Sequence, residues 1–314
     1  MRPAFSVIFL TTLVGAGQGL FIALFVAELG ALLGVWGIPA EPYFSLGCAL
    51  SLFLLGAGLL ASFFHLGRPE RAWRSAASWR TSWLSREVIA LPAFMAAVAA
   101  FGLAHYLRAA GDLTLTLGAG GLILALLLFV CTGMIYACLP FLQEWHTPLT
   151  VINYTLFGCA SGFLLGTAWA AAQAPALVAA SALWTAAFTL AALVTRAASL
   201  VRNARIRPKS TLQTAIGVKH PRIAQKSQGF MGGSFNTREF FHSSSFAWLR
   251  AVKWAFLLLV FPLPLALLAA GVALASWPVL GLAFALQYLG LLAERWFFFA
   301  QAKHPQNLYY QAIS

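Results

Sequence analysis

The stretch 5–36, FSVIFLTTLVGAGQGLFIALFVAELGALLGVW, carries one ionisable side chain, Glu28, and no proline. Wound as a helix at about 1.5 Å per residue, it is long enough to cross the ~30 Å hydrocarbon core of a bilayer. Its apolar run exceeds the roughly 7–15 residues of a signal-peptide core and no small-x-small cleavage site follows, so it reads as a retained span. Seven comparable stretches follow at 44–65, 84–107, 115–139, 149–171, 175–198, 249–275 and 277–300. The predicted fold class is therefore all-α, a polytopic membrane protein with eight transmembrane helices. Composition agrees, because 61% hydrophobic against 9% charged residues leaves too little polar surface to disperse a soluble domain.

With eight spans, both termini share a face with the connections after spans 2, 4 and 6. That face collects Arg2, then Arg68, Arg71, Arg74, Arg80 and Arg86, then the segment from Arg202 to Lys253, and finally Arg295 and Lys303; the other face carries Arg108 alone. Connections rich in Lys and Arg stay inside during insertion. The expected setting is thus a bacterial cytoplasmic (inner) membrane with both termini in the cytoplasm. The formal charge of +12 then belongs to the cytoplasmic surface, where it suits anionic lipid head groups or an acidic partner protein. No nucleic-acid-binding fold accompanies the charge, which argues against nucleic acid as the partner.

Cys48, Cys131, Cys138 and Cys159 all fall inside predicted spans with no C-x-x-C pair. They read as packing residues, and iron–sulfur ligation by this chain is not expected. Haem is not expected either. His65 and His105 lie at opposite ends of their spans, about 30 Å apart in depth, and cannot ligate one iron. Pairing of His65 with His146 or His304 stays geometrically open, though both of those adjoin loop-like proline sequence. No metal site is expected.

The stretch 62–87 is the richest in chemistry. It sets His65, Arg68, Arg71, Trp83, Arg86 and Glu87 at the edge of the hydrocarbon, where a quinone head can sit with its tail in lipid. Quinone reduction moves two protons with two electrons, so a site needs hydrogen-bond partners for both carbonyls and a group titrating near neutrality. His65 has that property. Glu87, at the start of span 3, either carries protons or orients the imidazole. Alternatively, His65 and Glu87 satisfy one another or a backbone carbonyl, and Arg74, Arg80, Trp73 and Trp79 are ordinary interfacial anchors. Glu28 either lines a polar cavity or bonds to a neighbour such as Gln18, and Glu294 with Arg295 reads as a structural ion pair. Ser85-Arg86-Glu87 before span 3 is echoed by Thr237-Arg238-Glu239 before span 7, which suggests two four-helix bundles.

Several separated motifs carry a resemblance over essentially the whole chain. They are Phe64-His65-Leu66-Gly67-Arg68-Pro69, Ser82-Trp83-Leu84-Ser85-Arg86-Glu87, the 210–217 segment STLQTAIG, Glu294-Arg295-Trp296 and the 304–310 segment HPQNLYY. Together they resemble the membrane anchor subunit of the dimethyl sulfoxide reductase family. The resemblance implies a three-subunit enzyme in which the anchor binds quinone (ubiquinone or menaquinone) without haem. Its partners would be a catalytic subunit with a molybdenum bis-pterin guanine dinucleotide cofactor and a ferredoxin-like subunit with four [4Fe–4S] clusters. The family's quinone-site histidine and glutamate fall on His65 and Glu87.

The segment 199–248 is long for an interhelical connection. Its basic and aromatic residues, Arg205, Arg207, Lys209, Phe230, Phe235 and Arg238, suit docking of the ferredoxin-like subunit on the cytoplasmic side; the alternative is a basic loop lying on anionic lipid. Within the family, a cytoplasmic layout resembles sulfite-oxidising, quinone-reducing complexes, with a quinol-oxidising sulfoxide reductase as the alternative. A non-redox transporter, expected to show broken spans and ionisable residues near mid-membrane, is more remote because this chain keeps nearly all its charges at one edge.

Overall fold

A computed structural model describes residues 3–40, 42–223 and 246–305. Phe230, Phe235 and Arg238, expected at the docking surface, lie outside the described residues, as do Thr237, Glu239 and the 306–310 part of the closing motif. The described chain is helical without strands: α1 Phe5–Leu32, α2 Pro42–Phe63, α3 Trp83–Tyr106, α4 Gly111–Ala137, α5 Pro148–Gln173, α6 Val178–Ala204, the short α7 Leu212–Ile216, α8 Phe246–Val260, α9 Pro262–Ala273 and α10 Trp277–Ala300. Counting α8 with α9 as one, eight helices among the described residues are long and apolar enough to span a membrane.

Helices α1 to α4 pack in sequence and close on themselves through α1 and α4. Helices α5, α6, α8–α9 and α10 form a second ring closed through α5 and α10. The rings are joined chiefly by α1 against α5, the two most buried spans. Glycine makes that junction possible. A Cβ on Gly19 would overlap the Gly158 carbonyl, and one on Gly162 would overlap the Gly19 backbone. The four-residue spacing of Gly15 and Gly19 on α1, and of Gly158, Gly162 and Gly166 on α5, lines these backbones up along one stripe. Large apolar residues elsewhere, such as Phe53, Ile123, Leu183, Val194 and Leu289, point outward, as lipid contact requires.

Several expected boundaries move, each for a local reason. Span 1 stops at Leu32, not 36, because Gly34 turns the chain at φ 71° and Trp36 folds back to donate its Nε1–H to the Ala27 carbonyl at 2.8 Å. Span 6 opens with a 3₁₀ turn at Pro175–Leu177 and its helix continues to Ala204, beyond the expected 198. Part of the expected loop is ordered. Residues Thr211 and Thr214 form a capping box on α7, and Gly217 at φ 72° ends it. Cys138 caps the end of α4 and is exposed, so it is not a buried packing residue as expected.

Span 7 is interrupted at Phe261 (φ −113°, ψ −77°) before Pro262. Pro264 cannot donate to the Val260 carbonyl, and Gln287 of α10 supplies the missing donor through its Nε2 at 3.2 Å.

Candidate functional site

Helix α3 begins where the Ser82 hydroxyl accepts from the Ser85 amide. Its first turns then divide by face. Outward, the Arg86 guanidinium lies 4.2 Å from the Trp83 ring centre and donates from Nε to Trp79 O and from Nη2 to Arg80 O, both at 2.9 Å. Inward, Glu87 is buried and accepts a hydrogen bond from the Thr132 hydroxyl of α4 at 2.5 Å.

Glu87 forms one wall of an interior cavity of ≈ 30 Å³ where α1, α3, α4, α5 and α10 meet. Thr12 and Gln18 line it from α1, Thr132 from α4, Tyr154 and Ser161 from α5, and Arg295 from α10. At roughly 10–15 Å³ per water, this volume suits a water or two.

Arg295 belongs to a triad that only the fold assembles. Glu294 is fully buried, with Arg295 on its Oε2 at 2.5 Å and Arg196 of α6 on its Oε1 at 2.7 Å. Arg196 and Arg295 are 2% and 4% exposed, so the triad is buried with one surplus positive charge. Aromatic faces take up part of that charge. Arg295 lies 4.2 Å from the Tyr154 ring and 4.8 Å from Phe298, and Arg196 lies 5.5 Å from Phe256. Counted from the helix ends, the triad is about 9–12 Å below the basic face. The ion pair of Glu294 with Arg295 agrees with the sequence reading. Arg196 is missing from that reading, although a lone arginine well inside an apolar span is a functional or structural flag by default.

The remaining expected residues lie at the surface. His65 follows the end of α2 and is exposed, and among the described residues no hydrogen bond or ion pair joins it to Glu87. Partial desolvation of the ring lowers its pKa below the ordinary 6.5. Arg68 is exposed, and Arg71 stands 4.0 Å from Glu70 in a solvated pair of little energetic weight. Arg205, Arg207 and Lys209 follow α6 on the same basic face.

A second polar site lies at the opposite face. Glu28 is buried, and its partner is His105, at 3.3 Å, rather than Gln18, which donates to the Ala125 carbonyl. The His105 ring stacks on Phe44 at 4.3 Å, and Arg108, at φ 53°, lines the same ≈ 290 Å³ cavity. Between the two sites Phe21, Phe94, Phe101 and Phe25 meet edge to face at 5.4–6.3 Å. This aromatic column carries no group able to relay a proton from one face to the other.

The sequence matches the family model for the DMSO reductase anchor subunit (DmsC) over residues 1–301. It is also 54% identical, over 325 aligned positions covering 100% of both chains, to a sulfite dehydrogenase subunit of Allochromatium vinosum.

Proposed function

The chain belongs to the DMSO reductase anchor subunit family, and from that premise we propose that it anchors a sulfite-oxidising complex and passes the electrons to quinone. The observation that carries the direction and substrate is the full-length similarity to a sulfite dehydrogenase subunit, together with the basic face that the positive-inside rule assigns to the cytoplasm. A molybdopterin catalytic subunit and a four-cluster ferredoxin-like subunit dock there, with Arg205, Arg207 and Lys209 on the docking surface alongside the basic and aromatic residues of 224–245.

Quinone is the substrate of the anchor, and it accepts two electrons and two protons. The head lies at the membrane edge beside the cavity that Glu87 lines, with Trp83, Arg86, His65, Arg68 and Arg71 around it. His65, in contact with water, relays one proton from the surface, taking it up on one ring nitrogen as it releases one from the other. Glu87, turned inward behind Arg86 and held by Thr132, supplies the other.

The experiment is sulfite-driven reduction of a short-chain benzoquinone by membranes holding the complex, beside a reporter fused to the C-terminus. Quinone reduction and a cytoplasmic reporter are expected. Sulfite inertness with quinol-driven sulfoxide reduction would reverse the direction and the substrate, and an external reporter would move the partners to the other face. Glu87→Gln and His65→Ala are each expected to slow quinone turnover about a hundredfold in an assembled complex, the ordinary worth of a positioned proton donor. Unchanged quinone kinetics in both variants would remove the site. Shortening 203–248 is expected to release the partner subunits into the soluble fraction, and their retention would favour lipid as the loop's contact.

A further inference from the structure

Glu87 is the acid the proposed reaction needs, yet it faces away from the surface. Its polar surroundings continue inward. Arg295, on the far wall of the ≈ 30 Å³ cavity, also lines a second cavity of ≈ 10 Å³, together with Glu144, Asn153, Arg196, Ser199 and Asn203. One guanidinium therefore separates two spaces of about water size. The outer of the two reaches the basic face at Glu144, in the connection between α4 and α5. That connection is held in place, since Arg202 donates from both Nη atoms to the Gln143 carbonyl at 3.1 Å and Trp145 Nε1 donates to Phe298 O at 3.0 Å.

Polar groups facing the two cavities need partners. Arg196 Nε and Arg295 Nη1 are buried without a hydrogen bond, a state that buried polar atoms avoid by binding water. Asn153 and Ser199 extend the polar lining, with Asn153 Nδ2 donating to Ser199 Oγ at 2.8 Å and the Thr195 hydroxyl donating to Asn153 Oδ1 at 2.8 Å.

We propose that water in these two cavities forms a proton route from Glu144 at the basic face to Glu87, with Arg295 positioning the water between them. The inference rests on the quinone-reducing reading above. Per turnover, the iron–sulfur partner delivers two electrons to quinone. Glu87 gives one proton to a reduced quinone oxygen and is reprotonated along the route, while the second proton enters at His65, so quinone, two electrons and two protons balance to quinol. Burial pushes the Glu144 carboxyl above its ordinary 4.5, against the opposing pull of backbone hydrogen bonds and of Lys303.

The test uses the assembled three-subunit complex carrying Glu144→Gln, with Glu87→Gln in parallel. With a short-chain benzoquinone as acceptor, Glu144→Gln is expected to lower kcat on the order of tenfold with KM unchanged, and added formate, a small membrane-permeant acid pair, is expected to restore it. A second readout needs no turnover. The infrared carboxyl band lost in Glu87→Gln should shift on transfer to D2O, and in Glu144→Gln that shift should be slower. If Glu87→Gln turns over normally, Glu87 is not the proton donor and the route is overturned with it; if His65→Ala does so too, the quinone-site reading itself fails. If Glu87→Gln is slow while Glu144→Gln matches the parent in rate and exchange, or is slow without formate rescue and with unchanged exchange, the route is overturned and the site stands.

Discussion

Glu294→Gln is expected to strip the anchor from membranes, or to leave it only as an unstable remnant. The substitution barely alters shape, yet it leaves Arg196 and Arg295 buried at 2% and 4% exposure without a counter-charge. Breaking a buried ion pair by removing one partner costs about 3–5 kcal/mol, a large share of the stability of a typical domain. The sign of the next variant follows from the same charge count. Arg196→Met leaves Glu294 paired with Arg295 and removes the surplus charge, so it should be much milder, and adding it to Glu294→Gln should recover part of the loss. Abundance in membranes and thermal unfolding of the detergent-purified anchor measure both effects. Parental melting of the Glu294→Gln variant would mean that water, not Glu294, neutralises the two guanidiniums.

Gly162→Leu is expected to be comparably damaging, through sterics alone. Its side chain would have to enter the Gly19 backbone on the neighbouring helix, and neither backbone can yield without separating α1 from α5. Overpacking of a tight core commonly costs about 1–3 kcal/mol, and more where a whole helix must move. The control is Gly120→Leu, because a Cβ at Gly120 meets open space; that change should stay within about ±0.5 kcal/mol. The two variants add the same side chain to a glycine in a membrane-spanning helix. A shared phenotype would point to helix propensity or insertion, whereas loss confined to Gly162→Leu locates the cost at the junction of the two rings.

Both cases bear on what can be read without coordinates. The glycine stripe is present as four-residue spacings on spans 1 and 5, and the small-residue rule for membrane helices picks it out. Arg196 is visible too, as a charge inside an apolar run. Its partner is not, because residue 294 lies in another span and nothing local ties the two together. Glu87 stands out in the sequence, but the direction it faces does not. It turns toward Thr132 and the interior, while Arg86 beside it turns to the surface and Trp83. For Glu28 the sequence offers a polar cavity or a neighbour such as Gln18; packing places it on a cavity wall and supplies His105 on α3 as its partner, while Gln18 bonds elsewhere.

The number of spans and the concentration of positive charge on one face were determined by the sequence alone. Each span must satisfy its own backbone hydrogen bonds in lipid and be apolar over a bilayer's thickness, and these are properties of contiguous residues that do not depend on neighbours. Helix ends were legible to within a few residues for the same reason, apart from places such as Trp36, where a side chain folds back. Only the tertiary structure decided which polar side chains share a cavity. That depends on the rotation and crossing of each helix, set here by backbone contact at Gly19, Gly158 and Gly162, and it brings Glu87, Tyr154 and Arg295 from three different spans around one water-sized space.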